Sequence, residues 1–426
     1  MATTSVLVKY WDREMTVEDS SGRGGLSRVL RQYRTELSLL IAIIAVVLLT
    51  MWLDDKHAYY HKPWYNATEI LRQTALLGIL ALGASVVIIS GGIDLSAGSV
   101  IAFSGTICAS LIYALAPVDG RGNPLTNDLP IWVLLVAFAG TMVSAFLVGS
   151  LHAWLITVIR LPPFVATLAS LVGLRSLARV LMQDVTREVS GKPNTQIYVY
   201  DKLFGMLGKD WWVPLVIFVV LAATTWLLLS KTVTGRHLYA MGGNETASRL
   251  SGIRTERLKW LAYCFGSMTA AVTGILYTSF VGVANPASIG IGYELNAIAA
   301  SVVGGCSLAG GIGTIPGIAL GALFLRVVID SVAKTVKTQP DEFQGLIVGV
   351  LVVLAVTLNE FRGKAGATRR FLPGGLGVVT WLNLTLLSGV LAMVIVSGHK
   401  LVTGVSTALI VGLLLGALAV WERRRK

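Results

Sequence analysis

Asp94 sits in the apolar stretch ISGGIDLSAGS (89–99), where a carboxylate has two chemical uses. It can accept hydrogen bonds from the unpaired amides of a helix that begins near Leu95. It can also meet a polar solute or an ion directly, because a charge at membrane depth is costly and is kept where it has a partner or a role. The sequence leaves both readings open. Gly91 and Gly92, just before it, interrupt the apolar run, and the interruption occurs twice in the chain. Ala84-Ser85-Val86-Val87 leads to Gly91-Gly92-Ile93 and Gly98, and Ala300-Ser301-Val302-Val303 leads to Gly310-Gly311-Ile312 and Gly317. The first match is offset by 216 residues and the other two by 219, so three residues are inserted between them. Such breaks free backbone amides and carbonyls, which is tolerated where the backbone is buried in protein or lines a wet cavity. Breaks at matching places in two halves point to a transport path; the competing reading is that the glycines only let helices pack closely.

Other polar groups in apolar runs are weaker candidates. Arg175 and Arg179 share a helix face at i, i+4, and are expected to snorkel to the interface in preference to contacting a docking partner or a solute. Arg326 and Asp330, also four apart, are expected to pair with each other. His152 reads as a hydrogen-bonded packing residue. Cys108, Cys264 and Cys306 lie in apolar segments with no metal or disulfide spacing and read as packing residues.

The elements that must position these groups are membrane helices. Of the 426 residues 54% are hydrophobic and 14% charged, with mean hydropathy +0.71, the composition of an all-α polytopic membrane protein. Apolar runs near 37–53, 74–90, 98–116, 131–158, 162–182, 212–229, 259–281, 293–309, 311–333, 343–358, 378–397 and 401–421 are each long enough to cross a bilayer. With both ends of the chain cytoplasmic, 21 of the 35 basic residues fall on the cytoplasmic side, so the net charge of +12 reflects the positive-inside bias and not nucleic-acid binding. Trp211 and Trp212 read as belt anchors, and 183–211 as a long outer loop.

The longest polar interruption, TGRHLYAMGGNETASRLSGIR (234–254), divides the chain and falls on the cytoplasmic side. Gly242 and Gly243 end a helix begun near Arg236, Asn244 is an N-cap with Glu245 in the first turn, Ala247 to Leu250 continue the helix, and Gly252 is a stop. About two turns are too short to stand alone. Leu238, Tyr239, Met241, Leu250 and Ile253 offer apolar side chains for a partner to cover, so the stretch reads as a docking element. The chain has no G-x-x-x-x-G-K-[ST] phosphate loop and no H-E-x-x-H or G-x-S-x-G motif, and few intramembrane carboxylates or histidines for a proton relay. That pattern suggests a transporter whose energy source lies on another subunit.

Three motifs carry a family resemblance. ILRQTALLGILALGASVVIISGGIDLSAGS (70–99), GRHLYAMGGNETASRLSGIRTERLK (235–259) and ASVVGGCSLAGGIGTIPGIALGA (300–322) resemble the permease subunit of bacterial ABC importers for monosaccharides, the ribose, xylose and galactose branch. A looser fourth match, PPFVATLASLVGLRSLA (162–178), has Ser176 where the family has glycine. The resemblance implies a core of about ten helices in residues 37–359, working as a pair of permeases in the bacterial inner membrane. The implied partners are a cytoplasmic ATPase with two tandem cassettes, which holds the ATP, and an extracytoplasmic sugar-binding protein; this chain binds no cofactor or metal. The solute is a neutral monosaccharide, with a pentose such as xylose or ribose expected.

By the same resemblance, residues 235–252 are the coupling helix, with Gly235, Arg236, Gly242, Gly243, Asn244, Glu245, Ala247 and Gly252 at the ATPase contact. Ser90, Gly91, Gly92, Asp94, Ser96, Gly98 and Ser99 belong to the translocation region, as do Asn296, Gly304, Gly305, Gly310 and Gly311. The expected organisation is a cytoplasmic segment 1–36, the permease core 37–359 with its coupling loop 231–258, a basic linker 360–377, an extra transmembrane hairpin 378–421 that departs from the family pattern, and a basic tail 422–426. The competing class is an ion-coupled secondary carrier in which Asp94 binds the ion; a third is a membrane anchor without transport.

Overall fold

The computed structural model describes residues 34–54, 56–120, 122–335, 343–351, 353, 357, 374–395 and 400–424. The cytoplasmic segment 1–36 and most of the linker 360–377 lie largely outside the described residues, as does part of the expected crossing 343–358. The elements are α1 (Arg34–Leu53), α2 (Ala58–His61), α3 (Pro63–Ile89), α4 (Ala97–Leu115), α5 (Ile131–Thr157), α6 (Pro163–Ser190), β1 (Ile197–Tyr198), α7 (Lys202–Lys209), α8 (Trp212–Lys231), α9 (Val233–Gly243), α10 (Glu245–Leu250), α11 (Thr255–Val281), β2 (Val283–Ala284), α12 (Tyr293–Val303), α13 (Ile315–Thr335), α14 (Gly374–Ile395) and α15 (Lys400–Arg424). Among the described residues, eight helices are long and apolar enough to cross a membrane: α1, α3, α4, α5, α6, α8, α11 and α13. The fold is all-α; its one described sheet is β1 against β2, antiparallel, with Ile197 opposite Ala284.

The chain falls into two compact units, Met1–Asn359 and Glu360–Lys426. In the first, α3 and α11 form the buried centre, and small residues set how closely they pack. A Cβ at Gly83 would strike Thr269 Oγ1, one at Gly274 would stand 2.6 Å from the Ile101 carbonyl oxygen, and one at Gly149 would stand 2.5 Å from Cys264 Cα. Backbones that approach this closely replace the hydrophobic drive that lipid does not supply. Cys108, Cys264 and Cys306 are buried and form no disulfide among the described residues, as packing residues should be. In the second unit, α14 and α15 pair as a hairpin. Gly389 and Gly404 let the two backbones meet, and Trp381 Nε1 donates to the Gly412 carbonyl at 2.8 Å.

Four expectations need correction. The run 293–309 is not one helix: α12 stops after eleven residues at Val303, and the crossing continues as the non-helical stretch 304–314. The outer loop 183–211 is mostly structured, since α6 runs on to Ser190 and ends where Gly191 turns at φ +75°. Arg175 is therefore twelve residues from the start of its helix and fifteen from its end, about 18–22 Å from either. Its guanidinium is held by backbone carbonyls of the loop before α12 and does not extend to the interface. Finally, Asp330 pairs with Lys334 and accepts from Tyr59 Oη at 2.6 Å, which leaves Arg326 without it.

Candidate functional site

The two broken crossings and the polar stretch meet at one point. Gly91 and its repeat mate Gly310 turn at φ +84° and +88°, conformations in which glycine alone is unstrained. A Cβ on Gly310 would lie 3.0 Å from Gly91 Cα, and one on Gly242 would fall on the Ile89 carbonyl and 2.6 Å from the Gly311 amide. Gly311 N donates to Ile89 O at 3.0 Å, tying the second break to the end of α3. Tyr239 Oη, on α9, donates to Gly313 O at 2.8 Å. Burial pushes the Tyr239 phenol up to about 12, so it remains a donor throughout the physiological range. The backbone of the coupling stretch thus touches both breaks with no side chain between them.

The first break is held by polar side chains from several helices. Asp94 is buried, and its Oδ1 accepts from Ser96 N at 2.8 Å and Ser96 Oγ at 2.5 Å, just ahead of α4. Ser99 Oγ donates to Ser96 O at 2.7 Å and lies 3.2 Å from Ser170 O on α6. Ser90 Oγ returns to Val87 O at 2.7 Å. Buried His152 shares a 2.7 Å hydrogen bond between Nε2 and Ser170 Oγ. Gly92 is packed against Tyr263 Oη, and Gly98 against Glu294 and the Gly290 carbonyl.

Of the second-half residues, Gly304 packs on Gly317, and Gly305 turns at φ +99° beside it. Asn296 stands apart from this junction. It lines a separate cavity with Gln73 and Arg326.

The docking stretch folds by its caps. Thr232 Oγ1 accepts from Gly235 N to start α9, and Asn244 Oδ1 accepts from Ala247 N at 2.9 Å to start α10. At its end, Gly252 N bonds Arg249 O at 3.0 Å and Ile253 N bonds Ser248 O at 3.1 Å, a Schellman closure with Gly252 at φ +84°. Glu245 ties α10 to α11 through Lys259 at 2.7 Å. Leu238 and Met241 are covered by the chain's own core and are not available to a partner, a correction to the expected apolar face. Leu250 is 85% exposed, and Arg236, Gly243, Asn244, Ala247 and Gly252 are exposed around it. Hollows of about 420 and 480 Å³ flank α10, one reaching the α5–α6 turn at Arg160 and the other His237 and Arg257.

A further group was visible as residue types but not as a site. Arg175 Nη1 donates to Pro286 O at 2.9 Å and Ile289 O at 2.8 Å, and Nη2 reaches Gly98 O at 3.4 Å. The guanidinium therefore clamps the loop before α12 onto the start of α4. Beside it a groove of about 400 Å³ holds Ser176, Arg179 and Glu294. It opens on a face of α6 where Val172 and nearby Ile291 are 66% and 64% exposed. The polar residue inside the apolar run 162–182 was the available signal; its direction is set by the packing of α6 against α4 and the loop before α12.

The model of the family described as branched-chain amino acid transport system / permease component matches residues 66–356. The chain is 31% identical over 351 residues to the ribose import permease protein of Escherichia coli (strain K12), covering 81% of this chain and 99% of that protein. It is 32% identical over 299 residues to the ribose import permease protein of Bacillus subtilis (strain 168), covering 69% and 84%. It is 27% identical over 402 residues to the xylose transport system permease protein of Escherichia coli (strain K12), covering 82% and 96%. No solved structure matches the chain.

Proposed function

The chain belongs to the branched-chain amino acid transport system / permease component family, and from that premise we propose that it is the membrane subunit of an ABC importer for a monosaccharide. A pentose such as ribose or xylose is the expected solute, in keeping with the relatives. The protein sits in the bacterial inner membrane with both ends cytoplasmic. It binds no nucleotide; a double-cassette ATPase docks on α10, and an extracytoplasmic sugar-binding protein delivers the solute. Two copies of the chain pair across the open face of α6. The exposed guanidinium of Arg179 and the Ser176 hydroxyl lie within the apolar run 162–182 of that helix, where lipid is a poor neighbour for a charge and a second copy enclosing water is a good one.

The observation that supports this reading most is the contact of Gly242 with Ile89 and Gly311. When cassette closure moves α10, the motion reaches both broken crossings through packed backbone, as a rigid-body shift and not a relay of flexible side chains. Sugar hydroxyls then meet serine, arginine and freed backbone groups and need no counter-charge.

The test is reconstitution of the chain with the ATPase and binding protein in proteoliposomes, with labelled pentose outside. Wild type takes up the sugar only with ATP. Glu245→Lys combined with Ala247→Pro, which removes the Lys259 tie and breaks α10, loses both uptake and ATPase co-purification. Survival of both in the double variant contradicts the docking assignment.

A further inference from the structure

A second polar cavity lies apart from the junction and the groove. Its volume is about 240 Å³, and its polar walls are Gln73 of α3, Tyr277 of α11, Tyr293 and Asn296 of α12, Arg326 of α13 and Gln344. It belongs to the end of the bundle remote from Gly242. Tyr277 is four residues before the end of α11, Tyr293 is the first residue of α12, and Arg326 is nine residues, about 13 Å, before the end of α13. Tyr277 and Tyr293 thus stand near helix ends, where tyrosines collect, while Arg326 lies near the middle of α13.

Among the described residues, the charges around the cavity do not balance. Glu69 pairs with Arg72 and also accepts from Gln73 Nε2 at 3.0 Å. Asp330 is taken by Lys334 and Tyr59. Arg326 keeps neither carboxylate, and its Nε is buried with no hydrogen-bond partner among the described residues. The other walls are amides and phenols, which solvate a guanidinium but do not neutralise it. A half-buried cation in a low-dielectric wall is stabilised most by an anion that accepts two parallel N–H bonds, and phosphate oxygens have that geometry. The amide NH2 groups of Gln73, Asn296 and Gln344 and the two tyrosine hydroxyls can donate to the remaining phosphate oxygens.

We propose that this cavity binds a phosphate-bearing anion through Arg326, either the phosphodiester of a membrane lipid or free phosphate. The lipid source fits the tyrosines near helix ends at the cavity wall, and basic pockets between membrane helices hold lipid headgroups by this chemistry. The site is independent of sugar passage, and would hold the α11–α12–α13 end of the bundle together.

The experiment measures Tm for the full chain in nanodiscs of three kinds: phosphatidylcholine alone in phosphate-free buffer, phosphatidylcholine doped with phosphatidylglycerol, and phosphatidylcholine with inorganic phosphate added. Wild type is expected to gain about 5 °C in at least one of the two supplemented conditions. Gain with phosphatidylglycerol alone assigns the lipid source; gain with inorganic phosphate assigns the free ion. Arg326→Gln loses the gain. Gln344→Leu keeps the charge but narrows the cavity and reduces the gain, and it carries the test if Arg326→Gln does not fold. No gain in wild type in either condition, or a gain in Arg326→Gln and in Gln344→Leu as large as in wild type, overturns the proposal.

Discussion

Gly91 and Gly310 occupy matched places in the repeat and turn at nearly the same φ, yet the two segments they lead into are held differently. After Gly91, the segment at the start of α4 is tied to two other helices: Ser99 Oγ donates to the Ser170 carbonyl of α6, Arg175 of α6 donates to Gly98 O, and Tyr263 of α11 packs against Gly92, while His152 of α5 holds the Ser170 side chain. Around Gly310, the ties are mostly local or backbone: Ser307 N to Ile312 O at 3.1 Å, Gly311 N to Ile89 O, and Gly317 N to Thr314 Oγ1 at 3.2 Å. Two long side-chain ties reach it: Tyr239 Oη to Gly313 O, from the stretch 234–254 itself, and Thr314 Oγ1 to Glu36 Oε1 of α1 at 3.2 Å. On the proposed mechanism, the first break would act as a fixed frame, and the second, tied through Tyr239 and Gly242 to the proposed docking element, would be the piece that moves.

Substitutions separate the two roles. Gly242→Val has the largest expected effect on transport, because its side chain would occupy the space of the Ile89 carbonyl and the Gly311 amide. Uptake should fall more than about tenfold, with destabilisation of about 1–3 kcal/mol from overpacking. Arg175→Met strikes the frame, stranding the Pro286 and Ile289 carbonyls, and should lower stability by about 2–4 kcal/mol in thermal unfolding, whether or not the ATPase is bound. Asp94→Asn keeps an oxygen where Oδ1 accepts from Ser96, so uptake should stay within a few-fold of wild type, whereas Asp94→Leu should lose the turn and most of the uptake. Loss of uptake in Asp94→Asn equal to that in Asp94→Leu would favour an ion-binding role for the carboxylate. Tyr239→Phe removes one hydrogen bond worth about 1 kcal/mol and should weaken coupling of ATP hydrolysis to uptake without changing assembly.

Much of this arrangement is legible in the sequence. Apolar runs locate the crossings, and the caps of α10 come from Asn244 and Gly252, because capping is local chemistry. The repeat is legible because glycine pairs in apolar runs are conspicuous. Which pieces touch is not. Nothing in residues 234–254 says that Gly242 abuts Ile89, since that contact is set by how α3, α9 and the 304–314 stretch pack in three dimensions. The apolar run alone puts Arg175 near a helix end, but α6 extends past residue 182 and moves the guanidinium to its middle. Spacing at i, i+4 alone pairs Arg326 with Asp330, yet the competing i, i+4 partner Lys334 holds Asp330. Leu238 and Met241 look like a partner's surface because burial by the chain's own core does not show in a local pattern.

The glycine junction is tested most directly by ATP-driven pentose uptake of Gly242→Val in proteoliposomes holding the ATPase and binding protein, read beside co-purification of the ATPase. The expected result is a complex that still assembles through the intact α10 surface and hydrolyses ATP but does not move sugar. Wild-type uptake by that variant would contradict the coupling role of the junction, because motion of the docking element would then reach the path by some other route.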